Sequence, residues 1–430
     1  MLNTLTKSIT NLATFFSNQR HLSSIRDGFI TLMPFTIIAS FFILINNVLL
    51  QPNNGLLQVI GIDASILTEI GIRIYNGTLN FMTILITASV SYKLAKSYNE
   101  EGFIYSIFSI ACLIIFFPLN IDITISDTTV KINDVISSMN TSATGLFVGI
   151  LISILSTEFL IKLSKYKKLK ISMPDSVPEA VTKSFNSLIP MTIIMILFSI
   201  IAFLLNYIFS MDLNTIINKL IQTPLLNILQ GLPGILIILF IQNLLWSFGI
   251  HGAFILSPIT ETTLLIAIQE NIQAINNNTI PKHIITKPFL DAFGFMGGGG
   301  STIGLIIAIL LISKRKEYKS ITKLSIIPSI FNINEPLMFG LPIVFNPLLS
   351  IPLILTPIIN ISLAYFATSI GLVNKTTTIV PWTTPPIISG FLATNGDFRA
   401  IILSIICIII STLIYLPFIH LTNKQMKENL

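Results

Sequence analysis

The 430-residue chain is 52% hydrophobic and only 10% charged, with a mean hydropathy of +0.83. Soluble domains carry about 25% charged residues, so this chain has too little ionic surface to coat a globule in water, and lipid must cover much of it. The net charge of +6 does not point to nucleic acid, because the basic residues stand in short clusters beside apolar runs, where orientation signals lie.

Residues 1–28 are mixed polar, with Lys7, Arg20 and Arg26, and lack the grammar of a cleaved signal peptide. Leu2, Leu5, Ile9, Leu12, Phe15 and Phe16 recur at helical spacing. They predict an amphipathic helix that either lies on the cytoplasmic face or simply caps the first span. Ten apolar segments follow, at roughly 29–50, 76–92, 103–119, 143–161, 187–209, 232–250, 253–268, 302–313, 341–372 and 400–421. Several approach the ~20 residues that a bilayer crossing needs. The weakest is 253–268, which includes Thr260, Glu261, Thr262 and Thr263; charge parity requires it where hydropathy does not.

Basic clusters at Lys93/Lys96, Lys162 through Lys170, Lys314 through Lys323 and Lys424/Lys427 fall on alternate loops, the turn near His251 excepted. The loop 120–142 instead carries Asp122, Asp127 and Asp134 against a lone Lys131. This bias predicts an even number of spans with both termini in the cytoplasm. Two stretches do not read as ordinary spans. Residues 269–301 end in Phe293-Gly294-Phe295-Met296-Gly297-Gly298-Gly299-Gly300-Ser301, and residues 324–346 contain Pro328, Asn332, Asn334, Glu335, Pro336, Gly340 and Pro342. Proline removes a donor and glycine is permissive, so neither runs as unbroken helix. Such backbone survives at membrane depth only inside protein or beside water. Both are predicted to be re-entrant hairpins, the first entering from outside and the second from the cytoplasm. The expected fold is therefore an all-α, multi-pass membrane protein of about ten transmembrane helices plus two re-entrant hairpins. It divides into a five-span half (1–209), an interfacial connector helix (210–222) and a second five-span half (223–430) that holds nearly all candidate chemistry.

Glu335 is the sharpest candidate. A charge at mid-membrane costs about 2.5–3.5 kcal/mol even on the lenient insertion scale, and this one stands between Asn334 and Pro336 in a broken segment. Intramembrane ionisable groups usually mark substrate paths; the bland alternative is a carboxylate that pins the hairpin by bonding freed backbone N–H groups. His251 ends a long apolar run between Gly249 and Gly252, and serves equally as a ligand or as a satisfied core residue. Trp382, in Pro381-Trp382-Thr383-Thr384-Pro385-Pro386, can stack on an apolar sugar face with Thr383 binding a hydroxyl, or sit as an interfacial belt residue. The glycine run, with Gly298 and Gly299 at its centre, permits close backbone approach to a ligand or tight helix packing. Cys112 and Cys407 lie in apolar runs and read as small core residues. No phosphate-cradling loop, metal-ligand spacing or appended phosphocarrier domain is present, so no metal or cofactor is implied.

Arg26-Asp27-Gly28-Phe29 leading into Leu32-Met33-Pro34, then Phe248-Gly249-Ile250-His251-Gly252, the glycine run with Thr302, and above all Phe331-Asn332-Ile333-Asn334-Glu335-Pro336-Leu337-Met338-Phe339-Gly340 carry a resemblance. The chain resembles the lactose/cellobiose-type enzyme IIC components of the bacterial phosphoenolpyruvate-dependent sugar phosphotransferase system, from about residue 1 to the C-terminus. Within that family it looks closest to the cellobiose/diacetylchitobiose branch. The resemblance implies an inner-membrane homodimer with the first five spans at its interface and the sugar chamber in the second half. It implies a β-linked disaccharide whose 6-hydroxyl hydrogen-bonds Glu335, with His251 beside the transfer position and Trp382 packed on the sugar. The partner would be a cytoplasmic phosphocysteine protein, enzyme IIB, so the chain would be a permease subunit rather than a complete enzyme. The competing reading is a secondary transporter that couples a sugar to ion flow, since discontinuous helices and a midplane carboxylate occur there too.

Overall fold

A chain this apolar satisfies its backbone most readily by hydrogen-bonding within helices, and the computed structural model is accordingly helical. It describes residues 19–50, 57, 60–62, 64–118, 120–125, 128–171, 178–277, 279–341, 343–344 and 346–428. The amphipathic stretch expected before residue 19 lies outside them. Two compact units emerge: one contains Asn18–Thr36 and Asn76–Pro224, the other Ile37–Tyr75 and Leu225–Leu430. The first described helix, α1 (Arg20–Leu44), contributes residues to both.

In the unit that contains residues 76–224, α2 (Met82–Ser97), α3 (Gly102–Ile115) and α4 (Leu146–Ser164) pack together. Their contact is a seam of small hydroxyls. Ser109 Oγ lies 2.8 Å from Ser91 Oγ and 2.6 Å from Ser156 Oγ, and Ser91 Oγ lies 2.7 Å from Thr157 Oγ1. All four side chains are fully buried. Small residues let helices approach closely where lipid offers no hydrophobic drive to associate. Phe116, Phe159 and Phe198 pack beside the seam, with ring centroids 5.5 and 6.2 Å apart. Glu158, six residues before the end of α4 in a mostly apolar helix, binds His21 Nε2 at 3.0 Å and the Tyr98 hydroxyl at 2.5 Å. The long α5 (Glu179–Phe209) leaves Phe203, Tyr207 and Ile208 exposed, as a helix facing lipid or another chain would.

The acidic loop departs from the all-helical expectation. Asn120–Ile125 and Thr128–Asn133 pair as an antiparallel hairpin, β1 and β2, with Ile121 opposite Ile132 and Ile123 opposite Val130. Alternating Ile-Asp-Ile-Thr-Ile has the two-residue period of a strand, and β-branched residues fit a pleated surface.

The other unit is less regular. Its described elements include α6 (Leu232–Ser247), α7 (Gly252–Asn276), α8 (Lys287–Phe293), α9 (Ile303–Ile312), α10 (Lys316–Ile330), α11 (Glu335–Gly340), α12 (Pro347–Ser369), α13 (Ile388–Ala393) and α14 (Phe398–Glu428). One core joins Leu239, Phe289, Phe293, Ile361 and Cys407; a second joins Trp246, Ile309, Leu337, Met338 and Tyr415. The two cysteines are buried and unpaired. Among the described residues five helices are long and apolar enough to cross a bilayer, or six if a bent pair meeting at Gly231 is one span. The segments at 76–92 and 103–119 form helices of 16 and 14 residues, shorter than a full crossing. Residues 269–276 continue α7 rather than opening a hairpin, because no proline or glycine interrupts them. The break at 324–346 is likewise narrower than the composition suggests: α10 runs to Ile330 with Pro328 inside it, and helix resumes at Glu335.

Candidate functional site

The gap between α10 and α11 positions the carboxylate. Asn334 precedes α11, Glu335 is its first residue and Pro336 takes an early position where the missing N–H costs nothing. The Glu335 side chain is 48% exposed, and its Oε1 lies 3.9 Å from Nε2 of His251. The site is therefore open at Glu335. His251 sits in the tight turn between α6 and α7. Its ring lies 4.5 Å from that of Trp246, tilted by 52°, which fixes the imidazole against a buried indole. Gly252 permits the turn, since a Cβ there would stand 2.1 Å from the carbonyl oxygen of Gln242.

The glycine run lies against both of these elements. The Asn334 side chain donates from Nδ2 to the carbonyl of Gly299 at 2.8 Å. Gly298 has φ +102, and a Cβ on it would meet Asn334 Cγ at 2.5 Å. A Cβ on Gly299 would stand 3.0 Å from Trp246 Nε1. Thus Gly298 is a glycine because Asn334 occupies the space a side chain would need, and Trp246 crowds Gly299 more mildly. Asn332 adds a third link: its Oδ1 accepts from the Gly297 N–H at 2.8 Å, and its Nδ2 donates to the carbonyls of Trp382 at 2.6 Å and Thr384 at 3.0 Å. Trp382 and Thr383 are half-buried on the loop so tethered.

Four separate stretches, around residues 251, 298, 335 and 382, are therefore joined by side-chain bonds or ring contacts. Glu335 and His251 face one another directly, Asn334 touches the glycine run, and Trp382 and Thr383 are connected to the rest through Asn332. Sequence reading overlooked Asn332 as an organiser, because an asparagine near a helix end is ordinarily a cap. It also overlooked a charged cluster: Lys287 Nζ lies 2.6 and 2.7 Å from the two carboxylate oxygens of Asp291 and 3.8 Å from Glu261 Oε1. The available signal was the Lys–Asp spacing of four residues on an otherwise apolar helix. His283, which read as unremarkable, bonds Glu270 Oε2 at 2.6 Å and is largely buried.

The profile of the family described as "Phosphotransferase system, EIIC" matches residues 26–357. The putative permease IIC component YwbA of Bacillus subtilis is 34% identical over 97% of this chain and 94% of its own length. The lichenan permease IIC component of the same organism is 33% identical over 99% and 94%. The cellobiose-specific EIIC component of Geobacillus stearothermophilus is 32% identical over 95% and 91%. Among solved structures, the chain is similar to ChbC, the IIC component of the N,N'-diacetylchitobiose-specific phosphotransferase system. That match has a TM-score of 0.92 and 33% identity over 98% of both chains. The chain belongs to the EIIC family: it is a multi-pass bacterial inner-membrane component of phosphotransferase-system sugar uptake, working with a cytoplasmic EIIB partner.

Proposed function

We propose that this EIIC protein binds a β-linked disaccharide, diacetylchitobiose or cellobiose, and presents its 6-hydroxyl to the phosphocysteine of EIIB. The observation that carries the reading is the pairing of Glu335 and His251, brought from different elements to 3.9 Å. Glu335 orients the 6-hydroxyl and takes its proton. The sugar oxygen forms the new P–O bond, the P–S bond breaks, and the cysteine leaves as thiolate. His251 stabilises the charge of the arriving phosphoryl group. Phosphoryl transfer has a loose transition state, so positioning and charge management account for most of the catalysis. Trp382 stacks on an apolar sugar face, Thr383 and Asn334 bind hydroxyls, and Gly298 and Gly299 let the backbone approach the ring. The names of relatives that handle cellobiose and diacetylchitobiose support this substrate class.

On the same reading the protein is a lipid-embedded homodimer of about ten spans per chain, with two re-entrant hairpins and cytoplasmic termini. Residues 1–209 form the dimerisation half, 210–222 the connector, and 223–430 the half that binds and moves the sugar. EIIB docks on the basic cytoplasmic segment from Lys314 to Lys323. Once phosphorylated, the sugar loses affinity and stays inside.

The test uses purified protein in lipid nanodiscs, with binding of diacetylchitobiose, cellobiose and lactose measured by calorimetry and phosphorylation followed with a phosphorylated EIIB. Glu335→Gln should lower transfer by about 10²-fold or more, as expected for loss of a proton acceptor, with the fold intact by thermal melting. Normal transfer by this variant would refute the assignment. Uptake that collapses with an uncoupler yet survives without a phosphoryl donor would favour ion coupling instead.

A further inference from the structure

Asn332 closes α10 in a backbone conformation that favours glycine. The N–H of Ile333 donates to the Pro328 carbonyl and that of Asn332 to the Ser329 carbonyl, both at 3.0 Å. These are the paired bonds of a Schellman cap, and Asn332 is its left-handed residue, with φ +62. Glycine takes that conformation without penalty, whereas a side chain there carries a steric cost that asparagine only partly escapes. The cap alone therefore does not explain asparagine; the side chain does. It is largely buried and makes three hydrogen bonds to backbone groups of two distant segments, Gly297 on one side and Trp382 and Thr384 on the other. In a water-poor setting such bonds are strong and costly to leave unmade.

We infer that Asn332 is a positioning residue that holds the glycine run and the Trp382 loop in register with Glu335, so that the sugar-binding geometry exists before the sugar arrives. The inference rests on the sugar-binding reading above. Pre-organisation of this kind raises affinity by removing the ordering cost from the binding step. Asn332 does not touch the reacting atoms; it acts through the backbone of the residues that do.

Asn332→Gly is the discriminating variant, because it keeps the left-handed cap and removes only the side chain. The chain has two tryptophans, so in a Trp246→Phe background Trp382 is the sole indole reporter. Asn332→Gly in that background should still unfold cooperatively, at a temperature lowered by the loss of three buried hydrogen bonds. Without sugar, Trp382 should become markedly more accessible to acrylamide quenching; in the chain that keeps Trp246, Asn332→Gly should lower affinity for the disaccharide by about tenfold or more, as loss of several hydrogen bonds implies. Asn332→Asp serves if the glycine variant does not fold. It keeps the acceptor for the Gly297 N–H but sets an anion against the two carbonyls, and should loosen Trp382 in the same way. Unchanged quenching in either folded variant would overturn the clamp. Loosening without loss of affinity would overturn its link to sugar binding. An unsubstituted protein that binds no β-linked disaccharide would defeat the proposed substrate instead, while the quenching comparison would still decide the clamp.

Discussion

The unit containing residues 76–224 and the one containing residues 225–430 use polar side chains in opposite ways. In the first, Ser91, Ser109, Ser156 and Thr157 bond to one another across intact helices. Their backbones are already satisfied, so the hydroxyls only tune how closely three helices approach. In the second, Asn332, Asn334, Tyr415 and Asn271 bond to backbone groups of segments whose helices are broken. There the side chains replace hydrogen bonds that an unbroken helix would have made. On the proposed reading the difference teaches where sugar binding sits: broken backbone exposes polar groups that can serve a ligand, and dedicated side chains must hold it in place.

The largest test of this contrast is Gly298→Ala. With φ +102 and Asn334 Cγ 2.5 Å from the added methyl, the variant should lose about 3 kcal/mol of stability through backbone strain and most of its sugar affinity. Thermal unfolding in detergent and calorimetric titration measure both. Near-normal binding would show that the glycine run tolerates side chains and is mere packing.

A smaller effect is expected at Asp397, where the loop after α13 meets α14. Its carboxylate accepts from the Asn374 N–H at 2.9 Å and from Arg399 Nε and Nη2 at 2.9 and 3.0 Å. Burial pushes the carboxyl up, but the Arg399 guanidinium and the backbone N–H groups outweigh it and hold it below the ordinary 3.8. A pKa lowered by folding means that the stabilisation is complete above the unfolded value and is lost as pH falls through the folded one. Asp397→Asn should therefore cost about 1.5 kcal/mol near neutral pH, with the two melting curves converging below the usual carboxylate range. A difference independent of pH would show that the charge is irrelevant.

The smallest effect belongs to the serine seam. Ser109→Ala removes hydroxyl contacts with Ser91 and Ser156 and should cost only about 0.6 kcal/mol, the average for such bonds within membranes, with sugar affinity unchanged. An effect on sugar binding as large as that of Gly298→Ala would erase the distinction between the two units.

Much of the proposed site was legible before any fold was known. Glu335 stood out because a charge beside proline in an apolar chain has few structural uses, and His251 because glycines flank it. The glycine run and Trp382 were visible as broken backbone. Their mutual contacts were not, since Asn332 is 35 residues from Gly297 and 50 from Trp382, and hydrogen bonds to backbone groups leave no pattern in side-chain type. The β1–β2 hairpin was missed for another reason: its isoleucine alternation lies in a loop judged by its acidic residues, and charge speaks to sidedness rather than to backbone conformation.

Composition alone required a membrane protein, because 10% charged residues cannot solvate a surface of this size, and short motifs marked its family. Only the tertiary structure decided that Glu335 is half-exposed, that Trp246 braces His251, and that Lys287 is neutralised by Asp291. Each depends on which backbone breaks face one another, and that arrangement follows from packing summed over a whole unit rather than from any local run of residues.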